Sequence, residues 1–419
     1  MPFDNALTRL LGVSTPIVLG PMANASGGEL AAGTSLGGGL GFLGAGYWDA
    51  ATLKEHIQTA SALIDADLGG ARAAGSKGKG ARLPFGVGFL VWRLTKTHGA
   101  SLATLLKEDD SNADEGAFSP AVEAIEAALR ARPKAIWLSF GESDELVALA
   151  DFIRKRDAQL SAELDIGGDS DPLVLFVGVG NETQARHAVE QIGADVLAVT
   201  GNEAGGHGLA ASPSLFTLLP RVAHILPSLQ PRQSVQTVVP DGRPLLLGAG
   251  GLASGASLAA VLALGAQGAV FGTRYLLTPE AMYSSAQKEL LKSLGGGRSD
   301  SSSSSHEKSL PPSGDSLTLR TMAFDDARGT LDWPAGVDGR GVRNLTVDEY
   351  ERDAADASQG ARQKRYAQAA EEKDVERIIT WAGTGVGVID DILPAKELTQ
   401  RLTREAEDAL RRAQQQIIS

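Results

Sequence analysis

The sequence predicts a (β/α)8 barrel, and three observations carry that reading. Short apolar runs of β type recur along the chain, and each is followed by a glycine or polar turn and then a helical pattern. Eight such units follow one another, and eight parallel strands is the number that closes a sheet into a barrel with its helices outside. The 50 glycines among 419 residues cluster just after the apolar runs, where a backbone must turn tightly or approach a ligand closely. An open doubly wound sheet is the competing arrangement.

The predicted units are, in order, strand Pro16–Leu19 with helix Gly27–Leu36, and strand Leu40–Leu43 with helix Ala51–Ile64. Phe85–Phe89 is the third strand, followed by an irregular segment that holds the polar stretch Lys107–Glu115. Then come Ala135–Ser139 with Ser143–Arg156, Leu173–Val177 with Glu182–Ile192, and Val196–Thr200 with Ser212–Ile225. Leu245–Leu247 with Ser254–Leu264 and Ala269–Phe271 with Pro279–Leu291 complete the set. This assigns residues 1–292 to the barrel. Residues 293–316, with the run Ser301–Ser305, read as a low-complexity insertion, as does Gly69–Gly80. Such compositions bury too little apolar area to offset chain entropy. Residues 317–419 read as a partly helical extension packed on the barrel. Its helical patterns are Val347–Lys373 and Ala395–Gln416, the second with Leu398, Leu402 and Leu410 on a charged background. Between them lies the glycine-rich turn Trp381–Gly387.

Composition narrows the function. A formal net charge of −12 argues against a nucleic-acid partner, which needs a basic face. It leaves room for a phosphorylated cofactor, because backbone N–H groups hold phosphate without Lys or Arg. The absence of cysteine excludes disulfides, thiolate nucleophiles and Cys-ligated metals. No run of 18 apolar residues marks a membrane span. Met1–Gly12 lacks a signal core, so a cytoplasmic location is expected.

In this fold the reactive groups sit at the C-terminal ends of the strands, and a phosphate site recurs in the loops after strands seven and eight. Those loops here are Ala249-Gly250-Gly251-Leu252 and Gly272-Thr273-Arg274. Gly250 and Gly251 let backbone N–H groups approach a phosphate, Thr273 adds a hydroxyl, and Ser254 is expected to cap a helix whose N-terminus adds positive potential. Each loop alone could be only a tight β-to-α turn. After the sixth strand comes Gly201-Asn202-Glu203-Ala204-Gly205-Gly206-His207-Gly208. His207 is the one histidine of six in such a loop. It can exchange protons near neutral pH, although it could equally just close the loop. Glu203 reads as either a catalytic group or a loop-stabilising carboxylate. His56, His98, His187, His224 and His306 read as solvated or packing residues. No His-x-x-x-His or His-Glu-x-x-His spacing supports a metal site, and no Gly-x-Ser-x-Gly elbow supports a serine hydrolase.

Four segments together resemble nitronate monooxygenases, formerly called 2-nitropropane dioxygenases. They are Pro16-Ile17-Val18-Leu19-Gly20-Pro21-Met22-Ala23, Gly37-Gly38-Gly39-Leu40-Gly41-Phe42-Leu43-Gly44, Glu203-Ala204-Gly205-Gly206-His207-Gly208 and Ala249-Gly250-Gly251-Leu252. The likeness runs from about Leu7 to Leu291 and resumes at Trp381–Gly387. It implies a non-covalent FMN and oxidation of alkyl nitronates, or of nitroalkanes, by O2 to a carbonyl compound and nitrite. It implies His207 as the catalytic residue. Gly250, Gly251, Gly272 and Thr273 would then hold the phosphate, Pro21, Met22 and Ala23 would line the flavin ring, and Gly205 and Gly206 would pass close to it. Ser139 belongs to the same expected site. The sequence departs from the pattern at Gly88, where many members have Asn, and at Thr200, where many have Gln; Asn202 is a candidate substitute. The other readings are an NAD(P)H-dependent flavin reductase of quinone or enoyl-thioester type, and a barrel without catalysis. A homo-oligomer is compatible with the sequence.

Overall fold

The strands carry the predicted architecture. In the computed structural model, which describes residues 3–67, 81–96, 120–166, 171–239, 242–295, 317–352 and 359–418, eight parallel strands ring a packed interior. They are β1 (Ile17–Leu19), β2 (Gly41–Gly44), β3 (Leu83–Leu90), β4 (Pro133–Ser139), β5 (Val174–Val179), β6 (Val196–Thr200), β8 (Leu245–Ala249) and β9 (Gly268–Phe271), while β7 (Gly206–Leu209) lies in a separate sheet. Neighbours pair in register from β2 round to β9 and on to β1. The ring closes at Leu40, whose N–H donates to the Ile17 carbonyl at 2.9 Å while its own carbonyl accepts from Leu19 at 2.9 Å.

Strands buried on both faces need apolar residues at every position, and β1 and β2 are buried throughout. Inside the barrel Phe42 meets Trp137 edge-on at 5.4 Å and Phe176 at 5.2 Å. Gly86 makes room for Phe42, because a Cβ there would run into that ring at Cε1. Helix α1 (Ala6–Leu11), capped by Asn5 through Thr8 N–H at 3.0 Å, adds Leu7 and Leu11 to this interior cluster.

The outer helices are α2 (Gly28–Leu36), α3 (Ala50–Asp67), α4 (Val91–Lys96), α5 (Pro120–Arg130), α6 (Ser143–Glu163), α7 (Glu182–His187, continued by a π turn), α8 (Leu215–Ile225) and α9 (Gly255–Ala263). Two expectations change here. The sixth-unit helix starts at Leu215 rather than Ser212, because Ser212 is drawn inward and its hydroxyl donates to the carbonyls of Gly180 at 2.6 Å and Thr200 at 2.8 Å. The helix expected over Pro279–Leu291 is instead the short α10 (Thr273–Leu276) and then α11 (Ser285–Gly295). Its true start is set by Ser284, whose hydroxyl accepts from Gln287 N–H at 3.3 Å while the Gln287 side chain takes the Ser284 N–H at 3.2 Å. That reciprocal pair is a capping box. Gly69–Gly80, Lys107–Glu115 and Ser301–Ser305 lie outside the described residues, apart from which α11 runs three residues past 292.

The extension contributes β10 (Thr318–Thr321), α12 (Ala323–Arg328), β11 (Val337–Val342), α13 (Leu345–Arg352), α14 (Gln359–Glu372) and α15 (Ala395–Ile418). β10, β11 and β7 form one antiparallel sheet, with His207 opposite Gly339. Helix α15 packs across α9 and α2. Leu398, Leu402 and Ala406 are buried at four-residue spacing, with Leu410 half-buried, as an amphipathic helix requires. Its Glu405 carboxylate accepts from Gly255 N–H at 2.9 Å.

Candidate active site

One cavity of about 530 Å³ opens at the C-terminal ends of the strands, a size typical of small-molecule sites. Of the residues the sequence singled out, Pro21, Met22, Ala23, Ser139, Thr200, Gly205, Gly206, His207, Gly250, Gly251, Gly272 and Thr273 all line it. Gly88 does not. It lies beneath Pro21, and a Cβ there would come within 2.6 Å of Pro21 Cγ. The proline therefore fills the space that a longer residue at position 88 would use. Asn202 does not line it either. Its N–H donates to the Pro213 carbonyl at 3.0 Å, and its carbonyl accepts from Arg340.

The barrel side of the cavity is glycine and small hydroxyl groups. Gly250 and Gly251 have φ of 110° and 71°, a left-handed backbone that favours glycine. The N–H groups of Gly250, Gly251 and Gly272 have no acceptor among the described residues. The Thr273 hydroxyl accepts from Gly383 N–H at 2.9 Å and keeps its own proton to donate. Three free amides and a hydroxyl at one end of a cavity make an anion cradle. The helix after it contributes less than expected. Ser254 does cap α9, but Glu405 already occupies the Gly255 amide. Farther along, Ser139 accepts from Trp137 Nε1 at 2.9 Å, and Thr200 donates to the Ala198 carbonyl at 3.1 Å. Ser139 is thus left as a donor and Thr200 as an acceptor.

The opposite side comes from the extension. His207 Nε2 lies 3.0 and 3.1 Å from the two carboxylate oxygens of Asp325. Trp333 stacks on the imidazole at 3.5 Å and 12°, and Trp381 approaches it at 4.8 Å. Burial holds the His207 pKa below the ordinary histidine value, Asp325 works against that shift, and Arg328 and Arg320 add to it. Arg320 and Arg340 clamp the loop: Arg320 Nη2 donates to the Gly208 carbonyl at 2.9 Å, and Arg340 Nε to that of Asn202 at 3.0 Å. Glu203 is the loop-stabilising carboxylate, taking the Leu215 N–H at 2.9 Å at the start of α8.

Several lining residues escaped the sequence reading. Asp325 does not line the cavity but holds a residue that does; Arg328, Trp333, Tyr47 and Tyr283 line it directly, as does Trp381 of the glycine-rich turn singled out in the sequence. Burial raises the Tyr47 pKa, and the adjacent Arg328 opposes this. His187 also lines the cavity, bonded to the Ser143 carbonyl at 3.2 Å. Phe140 and Asn24 both line it with φ of 58°. Non-glycine residues in that conformation cluster at functional sites. No group of three metal-ligating side chains occurs among the described residues, and no helix there is long and apolar enough to cross a membrane.

The fold and this cavity define a (β/α)8-barrel enzyme whose site lies at the C-terminal strand ends. Residues 166–296 match the family model for nitronate monooxygenase. A nitronate monooxygenase of Neurospora crassa is 27% identical over 98% of this chain and 95% of its own length. A carboxyl-CoA dehydrogenase of the octahydro-indene type from Rhodococcus jostii is 30% identical over 66% of this chain and 56% of its own. FabK from Thermotoga maritima shares the fold, with a TM-score of 0.63 at 20% identity over 98% of this chain and 99% of that one. Over these lengths the chain is similar to nitronate monooxygenases, oxidoreductases that are in general flavin-dependent.

Proposed function

We propose that the protein is an FMN-dependent enzyme that oxidises small alkyl nitronates, and nitroalkanes after their deprotonation, to a carbonyl compound and nitrite with O2 as oxidant. The observation that carries this reading is the pairing, in one cavity, of an unpartnered amide cradle with a buried, carboxylate-bound histidine. Bound FMN would supply the two-electron chemistry that no side chain provides. The amides of Gly250, Gly251 and Gly272 and the Thr273 hydroxyl suit its phosphate. Pro21, Met22 and Ala23, with the Ser139 donor and the Thr200 acceptor, suit the edge and face of its ring. His207 takes the Cα proton of a neutral nitroalkane. Arg328 supplies the one cationic side chain lining the cavity among the described residues, matched to an anionic nitronate. Trp333 and Trp381 keep water from the imidazole.

The test is an absorption spectrum of the purified protein, then anaerobic mixing with ethylnitronate and, separately, with NADPH. A flavin spectrum bleached by ethylnitronate, with nitrite and acetaldehyde formed in air, is the expected result. Bleaching by NADPH alone would replace this reading with a flavin reductase. A colourless protein that takes up no FMN would leave a barrel without catalysis.

A further inference from the structure

We infer that Asp325 is the positioning residue of this site: it holds the Nε2–H of His207 and so leaves Nδ1 as the atom that takes the substrate proton. The inference rests on the functional reading above and deepens it. Asp325 is completely buried, on the first turn of α12, 118 residues beyond His207. Its Oδ1 also accepts from the Thr330 hydroxyl at 2.8 Å and from Trp333 Nε1 at 3.2 Å. A carboxylate only accepts, so a nitrogen 3.0 Å from it must carry the proton. In a neutral imidazole the other nitrogen is then bare. His207 Nδ1 has no partner among the described residues, and His207 lines the cavity. The stacked Trp333 and the edge-on Trp381 restrain the ring from turning over.

The proton step balances on these atoms. The Cα–H bond of the nitroalkane breaks, its electron pair becomes the C=N bond of the nitronate, and the proton goes to Nδ1. The imidazolium so formed keeps its Nε2–H on Asp325, which orients and neutralises it without taking a proton, the logic of a carboxylate behind a catalytic histidine. The charged groups around the pair are Arg328 at the end of α12 and Arg320 on β10.

The structure also predicts what Asp325→Asn does. Thr330 and Trp333 both donate to the Oδ1 position, so the asparagine oxygen must stay there and its NH2 must replace Oδ2, 3.0 Å from Nε2. That NH2 donates toward Nε2 and competes with the oxygen 3.1 Å away, which weakens the hold on the Nε2–H and favours the Nδ1–H form. The experiment is ¹⁵N NMR of the full-length holoenzyme with labelled histidine, alongside kinetics on nitroethane and on ethylnitronate. The wild type should show His207 as the neutral Nε2–H tautomer, and Asp325→Asn a larger share of the Nδ1–H tautomer. The variant's kcat on nitroethane should fall at least about tenfold, up to the roughly 10²–10⁴ that a general base contributes, and by a larger factor than its kcat on ethylnitronate. An Nδ1–H tautomer in the wild type, or an undiminished nitroethane rate in the variant, would overturn the inference. The wild-type tautomer decides the matter if the variant does not fold. Failure of the wild type to oxidise ethylnitronate would instead sink the functional reading and leave the tautomer result standing.

Discussion

The two walls of the cavity are built on different principles. The barrel wall, at the ends of β8, β9 and β1, offers backbone: free amides at Gly250, Gly251 and Gly272, and almost no side-chain charge. The wall from the extension offers side chains: a guanidinium at Arg328, two indoles, and the carboxylate that holds His207. The first suits a group that is bound and kept, because backbone donors are preorganised and do not titrate. The second suits a substrate that must be recognised, deprotonated and released. His207 lies where the walls meet, on the strand that joins the barrel loop to the extension sheet.

If that division is right, the walls can be broken separately. The largest effect is expected from His207→Asn. Turnover of neutral nitroethane should fall by roughly 10²–10⁴, the usual worth of a general base, with the flavin spectrum retained. Steady-state rates on nitroethane and the visible spectrum check both halves, and an unchanged rate would remove His207 from the chemistry. The intact site makes a related prediction about pH. A histidine whose pKa is lowered in the folded protein stays neutral to lower pH than usual. The acid limb of kcat on nitroethane should therefore fall below about 6.5, the ordinary histidine value, and activity should be lost only as pH drops past that point. An acid limb well above 6.5 would mean that Asp325 outweighs burial.

Gly251→Val attacks the other wall. Gly251 has φ of 71°, and a Cβ there would lie 3.1 Å from Glu203 Cβ and 3.2 Å from Thr384 Oγ1. A β-branched residue forced into that conformation costs about 1–3 kcal/mol. If the loop shifts to relieve it, FMN affinity should weaken roughly ten- to a hundredfold. Cofactor content after dialysis measures this, and saturating FMN should restore activity. A variant that binds FMN normally would take the phosphate away from this loop.

The barrel wall was legible in the sequence because its signal is local. Each strand is a short apolar run, and each ligand loop begins with glycines directly after it, so Gly250, Gly251, Gly272 and Thr273 could be placed by counting units. The extension wall was not legible, because its residues carry no periodic cue. Asp325 and Arg328 sit in Met322-Ala323-Phe324-Asp325-Asp326-Ala327-Arg328, a polar-apolar mixture that reads as any surface helix. What brings them to the cavity is the pairing of β11 with β7 across more than a hundred residues. For the same reason His207 read as a loop residue when it is in a strand: its partner, Gly339, leaves no mark near position 207. Gly88 failed in the opposite way. The sequence showed a missing side chain, but only packing showed that Pro21 takes its place.

The smallest effect is expected from Arg328→Gln, and it tests whether the extension wall recognises charge. Arg328 is only half-buried and is engaged with Tyr47, so solvent and its neighbour both weaken its pull on a bound anion. A partly exposed pair is worth about 1 kcal/mol or less, which corresponds to roughly a fivefold rise in KM for ethylnitronate. Neutral nitroethane should be almost unaffected, since it carries no charge for the guanidinium to meet. The wild-type KM for ethylnitronate should also rise with ionic strength, and the variant should lose much of that dependence. Equal changes for the charged and neutral substrates would show that Arg328 shapes the cavity rather than reading charge. The electrostatic half of the contrast between the walls would then fall, leaving the two indoles and the carboxylate behind His207 as the extension's contribution.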